Sequence, residues 1–150
     1  MPTNVQLTTS AAMPAVPTAS TARTRAARRR EFPPPVLAAL AAEKMIGIRS
    51  GRTHRFTGVW VVVLRGRVFV RSWNDEETGW HRAFREKPAG EVRVGDRRIR
   101  VRARFVRGPR LLETIESAYA EKYDTKASMK WVRGFRAPRR RATTTEFVPG

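Results

Sequence analysis

Residues 55–72 read RFTGVWVVVLRGRVFVRS and contain the most strongly strand-forming run of the chain. The β-branched and aromatic residues of 59–63 predict a strand over 55–64. Because apolar and polar residues do not alternate there, both faces of this strand are expected to be covered. Arg65-Gly66 has the composition of a tight hairpin turn. The chain is therefore predicted to return antiparallel over 67–72.

A second hairpin is predicted around Gly95-Asp96, with strands over 91–94 and 97–106. The longer strand alternates strictly between basic and apolar residues, which is typical of a strand with one exposed and one buried face. Its two faces carry Arg98, Arg100, Arg102 and Arg104 on one side, and Ile99, Val101, Ala103 and Phe105 on the other.

The remaining elements are shorter and less regular. Strands are predicted over 44–49 and 143–148, helices over 36–42, 79–87 and 111–123, and a helical turn within 128–135. Six strands in mainly antiparallel connection, with few helices, predict a mainly β fold of the α+β class. We expect a small six-stranded antiparallel barrel, closed or partly closed.

Residues 1–31 are predicted to form a disordered basic tail in front of one barrel domain over 32–150. The first 30 residues contain no Asp or Glu and five Arg. Such a composition buries too little apolar surface to offset the entropy lost on ordering. It is also compatible with an organellar targeting peptide, which stays open as the alternative.

Composition excludes several classes of site. The chain has no Cys, so disulfides, thiolate metal sites and cysteine nucleophiles are excluded, and its two His cannot form a three-His metal site. The longest apolar run, 59–64, is far shorter than the roughly 20 residues of a membrane span. We therefore expect a cytoplasmic protein without a metal. Its net charge of +18 favours a phosphate-bearing cofactor, nucleic acid or an acidic partner.

Short motifs on these elements resemble those of the split-barrel proteins that bind flavins and deazaflavins. The similar positions are Ser50-Gly51, Arg55, Thr57 and Trp60, then Val70-Arg71-Ser72, Trp80 and Phe84. Later features resemble an uncharacterised bacterial family, domain of unknown function 2255, within this pyridoxamine phosphate oxidase-like superfamily. They are Ala118-Tyr119, Lys122-Tyr123, Met129 and Ala142-Thr143. The resemblance covers residues 46–149.

The resemblance implies a six-stranded split barrel that forms a homodimer and binds FMN or a deazaflavin across the subunit interface. It implies that Arg55 and Thr57 lie on the strand that faces the cofactor. It also implies that Ser72 lies near the cofactor's phosphate, and that Trp80 packs its helix against the barrel beside it.

Two departures from the family pattern bear on the cofactor. Gly58 replaces the usual proline, and the loop after Ser72 carries Asp75, Glu76 and Glu77, where cofactor-binding relatives tend to have glycine or basic residues. Carboxylates beside a phosphate repel it. A barrel that retains the fold without a cofactor therefore stays open.

The residues themselves suggest a binding site for a planar, phosphorylated ligand. Arg55, Arg71 and Arg85 flank the predicted pocket and suit a bidentate grip on phosphate, although they are also compatible with ordinary surface arginines. Trp73, next to Asn74 at a strand end, is the candidate for stacking on a ligand.

Three further ring-bearing residues are assigned to packing or solvent. Trp60 lies inside an apolar strand, so packing is expected there. His54 and His81 would suit acid–base work near neutral pH, but no carboxylate stands at a spacing that would orient either one. Both are interpreted as solvated or structural.

Three functions remain from the sequence. The first is a flavin or deazaflavin nucleotide-binding barrel, with oxidoreductase activity on an unknown substrate carried out by the cofactor's ring. The second is a basic nucleic-acid-binding module that uses the Arg98 to Arg104 face, for which a solvated outer face is the favoured interpretation. The third is a cofactor-free scaffold or small-molecule barrel.

Overall fold

The computed structural model of the protein describes residues 31–73 and 79–150. The strands are β1 (Met45–Ser50), β2 (Thr57–Leu64), β3 (Arg67–Val70), β4 (Ala89–Val94), β5 (Arg97–Phe105) and β6 (Thr145–Pro149). The helices are α1 (Pro34–Ala42), α2 (Trp80–Glu86), α3 (Pro109–Lys122), α4 (Lys126–Gly134) and α5 (Pro138–Arg141). The tail predicted over 1–31 lies outside the described residues except for Glu31.

The six strands form a closed barrel in the order β1-β2-β3-β6-β5-β4. Every neighbouring pair is antiparallel. The predicted six-stranded antiparallel barrel is therefore confirmed. Closure removes the free sheet edges that would otherwise pair with other chains.

The first hairpin has both faces of β2 covered, as its composition indicates. Val59 and Val61 point into the barrel, while Val62 belongs to a second core outside it. The turn has positive φ at Arg65 (50°) and at Gly66 (77°), the left-handed pair that a two-residue hairpin needs. β3 then pairs with β2 from Leu64↔Arg67 to Val61↔Val70.

The second hairpin has the alternation that its sequence predicts. Val101 and Ala103 are buried in the barrel core, and the four arginines of the opposite face are exposed. β6 closes the sheet between β5 and β3, with Ala103↔Phe147 and Val68↔Phe147 in register.

The helices surround the barrel and define two cores. α1 and α2 add Leu40 and Phe84 to the interior core. α3 lies over the outer face of β2 and β3, where Ile115 and Tyr119 pack on Val62 and Phe69. Within the two described ranges, no helix is long and apolar enough to cross a membrane.

Two parts of the C-terminal third differ from their predictions. The helical turn predicted within 128–135 is a nine-residue helix, α4, whose first turn is capped by the Thr125 hydroxyl accepting from the Ser128 N–H. The basic run 139–141 belongs to α5, where Arg140 and Arg141 are half-buried and contact other side chains. A run of basic residues is expected to be solvated, but the guanidinium groups of these two residues have ring and carboxylate partners.

Candidate functional site

A cavity of about 490 Å³ lies beside the first residues of β2, the segment that follows β3, the start of α2, and α4. Its lining is mostly apolar and consists of Met45, Thr57, Gly58, Val59, Trp60, Arg71, Ser72, Trp73, Gly79, Trp80, Trp131 and Phe135. The chain has four tryptophans, and all of them are in this lining. The volume lies in the usual range for ligand pockets, about 300–1,000 Å³.

Five of the seven residues predicted from the sequence for the cofactor line this cavity: Thr57, Arg71, Ser72, Trp73 and Trp80. Arg55 is exposed and is not part of the described lining. Asn74 lies outside the described residues, as does the acidic loop of Asp75 to Glu77. Arg85 is exposed on α2, so the structure brings only Arg71 of the three suggested clamp arginines to the cavity.

Arg71 is held by three different parts of the chain. Its Nε donates to Thr144 Oγ1 (2.7 Å), and its Nη1 donates to the Phe135 carbonyl (2.8 Å) and to Glu116 Oε2 (3.1 Å). Among the described residues Nη2 has no hydrogen-bond partner, although it is buried. Arg71, which follows β3, is therefore bonded to α3, to the residue after α4 and to the residue before β6, and its Nη2 has no acceptor in the described chain.

The charge of Arg71 is balanced by one shared carboxylate. Burial lowers the pKa of Arg71, and the charge of Glu116 opposes this effect. Glu116 Oε2 also lies 2.6 Å from Nε of Arg141 on α5. Two guanidinium groups thus share one carboxylate among the described residues.

Ser72 is positioned through its backbone. Its N–H donates to Thr143 Oγ1 (2.8 Å), and that hydroxyl in turn donates to the Arg140 carbonyl (2.7 Å). The buried Thr143-Thr144 pair before β6 therefore fixes the path of the chain through Arg71 and Ser72.

Trp73 is held as a fixed wall of the cavity. The guanidinium carbon of Arg140 lies 3.5 Å from its ring centroid, and Trp131 meets it edge-on at 4.6 Å. Arg140 also donates to the Trp73 carbonyl (2.9 Å) and the Gly134 carbonyl (3.0 Å). A Cβ at Gly134 would overlap the indole, so glycine allows this close approach.

Trp60 is a second fixed wall of the cavity, stacked on Tyr123, the residue that follows α3. Its ring lies parallel to that of Tyr123, with centroids 4.2 Å apart, and its carbonyl accepts from the Tyr119 hydroxyl (2.9 Å). The Tyr123 hydroxyl accepts from the Val61 N–H (3.0 Å) and lies 2.6 Å from the Lys44 carbonyl. It therefore bridges the backbone of β2 and that of the residue just before β1. Burial raises the pKa of Tyr119, and it raises that of Tyr123 to about 12.

The rim of the cavity carries exposed apolar side chains. Met45 and Trp131 are 56% and 39% exposed and are the exposed large hydrophobic residues of the described chain. Gly58, which stands where the resembling family has proline, leaves room for Met45, because a Cβ there would lie 2.7 Å from its sulfur.

Other predicted features have structural roles or lie elsewhere. The Ser50 hydroxyl lies 2.7 Å from the Lys87 carbonyl and 3.1 Å from that of Ala83, so the Ser50-Gly51 motif fastens β1 to the end of α2. His81 is buried with its ring edge-on to Trp80 and Phe105, and His54 is exposed. Neither histidine is in the described lining of the cavity.

The predicted anion-binding face lies apart from this cavity. Arg98, Arg100, Arg102 and Arg104 are exposed on the outside of β5, and none of them lines the cavity. The sequence interpretation missed Trp131, Phe135 and Arg140 as residues that build the cavity. The one signal for them was a set of aromatic residues within a basic segment.

Two solved structures resemble this architecture. The crystal structure of the conserved hypothetical protein Rv2991 from Mycobacterium tuberculosis has a TM-score of 0.53 and 14% identity, and the match covers 81% of each chain. That of a "Putative Pyridoxamine 5'-phosphate oxidase" from Listeria innocua has a TM-score of 0.53 and 15% identity, and covers 77% of this chain and 90% of that one. At these identities the likeness establishes the split-barrel fold alone. No curated protein matches the sequence.

The sequence also matches a family. The family described as "Uncharacterized protein conserved in bacteria (DUF2255)" matches residues 37–146, a range that contains the complete lining of the cavity. The resemblance noted in the sequence is thereby confirmed. The chain belongs to this family, and its barrel fold is similar to that of the two solved structures.

Proposed function

We propose that the cavity binds a flavin or deazaflavin nucleotide, and that the protein is an oxidoreductase of this cofactor class. The observation that carries the proposal is the convergence of all four tryptophans and the buried Arg71 on one cavity of about 490 Å³. Aromatic side chains offer flat surfaces to a planar ring, and Arg suits an anionic group such as a phosphate.

The cavity walls are held in place by contacts within the protein. Trp73 is held by Arg140 and Trp131, and Trp60 by stacking on Tyr123. Preformed walls reduce the conformational entropy that binding must overcome. This favours a rigid planar ligand over a flexible one.

The polar end of the cavity suits an anion. Nη2 of Arg71 is a buried donor without an acceptor in the described chain, and such a group costs about 1–3 kcal/mol when left unpaired. A phosphate or another anionic group of the ligand would supply that acceptor. Thr57 and Ser72 are hydroxyl-bearing residues of the same lining.

The exposed rim supports a homodimer. Met45 and Trp131 form an apolar border that would be covered by the bound ring or by a second copy of the chain. A cavity shared across a subunit interface would cover both residues at once.

The chain's own residues would bind and orient the cofactor and exclude water from its ring. A bound flavin or deazaflavin supplies hydride transfer through its own ring. The described lining contains no His, Asp or Glu, so the protein's contribution would lie in position and electrostatics.

A cofactor-free barrel is the competing function, and two observations favour it. Nε and Nη1 of Arg71 already donate to groups within the protein. Arg55 and Arg85 are exposed and are not in the described lining of the cavity. In that case Arg71 would serve stability alone.

The test is a titration of the freshly purified full chain with FMN and with a deazaflavin nucleotide, preceded by an absorbance spectrum. Since every tryptophan lines the cavity, binding is expected to quench most of the intrinsic fluorescence. Trp131→Ala should weaken binding about 5- to 150-fold, as removing one stacking ring costs roughly 1–3 kcal/mol.

The matched control is Phe56→Leu, which removes a half-buried aromatic ring outside the cavity and should leave the affinity unchanged. Colourless protein whose fluorescence responds to neither cofactor up to millimolar concentrations would overturn the proposal in favour of the cofactor-free barrel. Native mass measurement with and without cofactor tests the homodimer.

A further inference from the structure

The outer surface of β4 and β5 carries a continuous row of exposed arginines. We call the set Arg93, Arg98, Arg100, Arg102 and Arg104 the arginine face; all five are exposed. Arg93 lies directly opposite Arg98 in the strand register. Like charges in such a position destabilise a sheet unless an anion lies between them.

The carboxylates that border this face are already paired. Glu91, opposite Arg100, accepts from Nε of Arg49 (2.9 Å). Glu146, opposite Arg104, accepts two bonds of 3.0 Å from Arg67. Within 31–73 and 79–150, no carboxylate forms an ion pair with any member of the arginine face.

An aromatic ring holds part of this face in position. The guanidinium carbons of Arg93 and Arg98 lie 4.5 Å and 5.7 Å from the ring centroid of Phe56. That ring rests on the sheet because Gly47 has no side chain, since a Cβ there would lie 3.2 Å from the Phe56 Cβ. Cation–π attraction thus keeps neighbouring positive charges together on an exposed surface.

We propose that the arginine face binds the phosphate backbone of nucleic acid. Same-face residues of a strand lie about 6.8 Å apart, which is twice the axial spacing of about 3.4 Å between phosphates of one nucleic-acid strand. The guanidinium fork matches phosphate oxygens in a bidentate way. A row with no enclosing cavity suits a linear polymer of phosphates rather than a small anion.

Two other occupants fit the face less well. A second copy of this chain packed symmetrically on the same face would bring five exposed positive charges against five others. A lipid surface would call for apolar side chains beside the arginines, and the exposed large hydrophobic residues of the described chain, Met45 and Trp131, lie at the cavity instead.

The experiment measures binding of the full chain to a labelled single strand and to its duplex over a salt series, by fluorescence anisotropy. The slope of log Kobs against log salt should be clearly negative, and changing Arg98, Arg100, Arg102 and Arg104 together to Gln should reduce its magnitude by about 3. The affinity at low salt should fall about 100-fold or more. Changing the same four residues to Lys keeps the charge and should retain most of the slope.

The matched control removes the same charge elsewhere, at four exposed arginines of the helical segments: Arg110, Arg133, Arg136 and Arg139. This variant should keep the slope within about 1 of the wild type. The basic tail is identical in every variant, so its own contribution cancels in the comparison. Circular dichroism establishes that each variant is folded.

Three outcomes would overturn the proposal. The first is wild-type protein that does not bind nucleic acid at low salt. The second is equal weakening of binding when the four arginines of the face and the four control arginines are each changed to Gln, which would mean that only the total charge matters. The third is binding to vesicles of anionic lipid without binding to nucleic acid. None of the arginine-face residues is in the described lining of the cavity, so the result for that face is independent of the cofactor titration.

Discussion

Gly134→Ala should destabilise the protein even though alanine is the better helix former. A Cβ at this position would lie 2.5 Å from Cζ3 of Trp73 and 3.0 Å from Nη1 of Arg140. The indole has little room to withdraw, because Arg140 lies 3.5 Å from its centroid and Trp131 packs on it at 4.6 Å. The clash therefore has to be relieved by moving at least one of these side chains.

The size of the effect is the difference between two opposing contributions. Overpacking typically costs about 1–3 kcal/mol. Replacing glycine by alanine inside a helix gains about 0.5–1 kcal/mol, which is an upper limit for Gly134 because it is the last residue of α4. We expect a net loss of about 1–2 kcal/mol in the free energy of unfolding, which for a domain of this size lowers Tm by about 4–8 °C.

The assay is urea unfolding followed by far-ultraviolet circular dichroism, with the near-ultraviolet signal reporting the tryptophan environment. The control is Gly108→Ala, where no atom lies within 4 Å of the new Cβ; its stability should stay within about 0.5 kcal/mol of the wild type. If Gly134→Ala were as stable as the wild type with an unchanged near-ultraviolet signal, the close packing of Trp73 on α4 would be refuted.

Three further predictions concern buried polar groups. Tyr123→Phe should cost about 2–3 kcal/mol because it leaves the buried Val61 N–H without an acceptor. Tyr119→Phe removes a single bond to a carbonyl and should cost about 1 kcal/mol. Equal losses of stability in urea unfolding would contradict this difference. Arg71→Met should cost about 3 kcal/mol, since it removes a buried charge from a shared carboxylate, and a stabilised variant would refute that reading. Burial lowers the pKa of Lys122 to about 8 from 10.5. Between these values the unfolded chain holds a proton that the folded chain has released, so stability should rise with pH there and the rise should be absent in Lys122→Met.

Most of the barrel could be predicted from the sequence because its strands have simple periodicities. The alternation from Arg98 to Phe105 places each side chain on one face or the other without reference to the rest of the chain. The turn at Arg65 and Gly66 is likewise encoded locally. These local patterns agree with the structure because a closed barrel also requires side chains that alternate between its interior and its outer face.

The helical segment between α3 and β6 was less predictable. Residues 126–141 are rich in Lys and Arg, so the apolar period that marks a helix is short and interrupted. Val132 and Phe135 are buried in the second core, where Phe135 contacts the rings of Trp60 and Trp73. Tertiary packing rather than local pattern therefore defines α4.

The residues of the candidate site likewise differ in whether they could be predicted from the sequence. Trp73 and Arg71 could be singled out from residue type and from the family resemblance, whereas Trp131 and Arg140 required knowledge of which helix packs on the cavity. Ser50 belongs to the family motif, yet its hydroxyl secures the end of α2 rather than lining the cavity. A motif can thus mark the fold without marking the site.

The cavity depends on the C-terminal third of the chain more than on the barrel. Residues Arg71 to Trp73 leave β3 and are held in turn by the Phe135 carbonyl, by the Thr143 and Thr144 hydroxyls, and by the Arg140 guanidinium. None of these partners contributes to the interior core of the barrel. Substitutions between α4 and β6 can therefore reshape the cavity while the barrel remains intact. Under the proposed function, the affinity for the cofactor should accordingly respond to changes over residues 131–144 before it responds to changes in the strands.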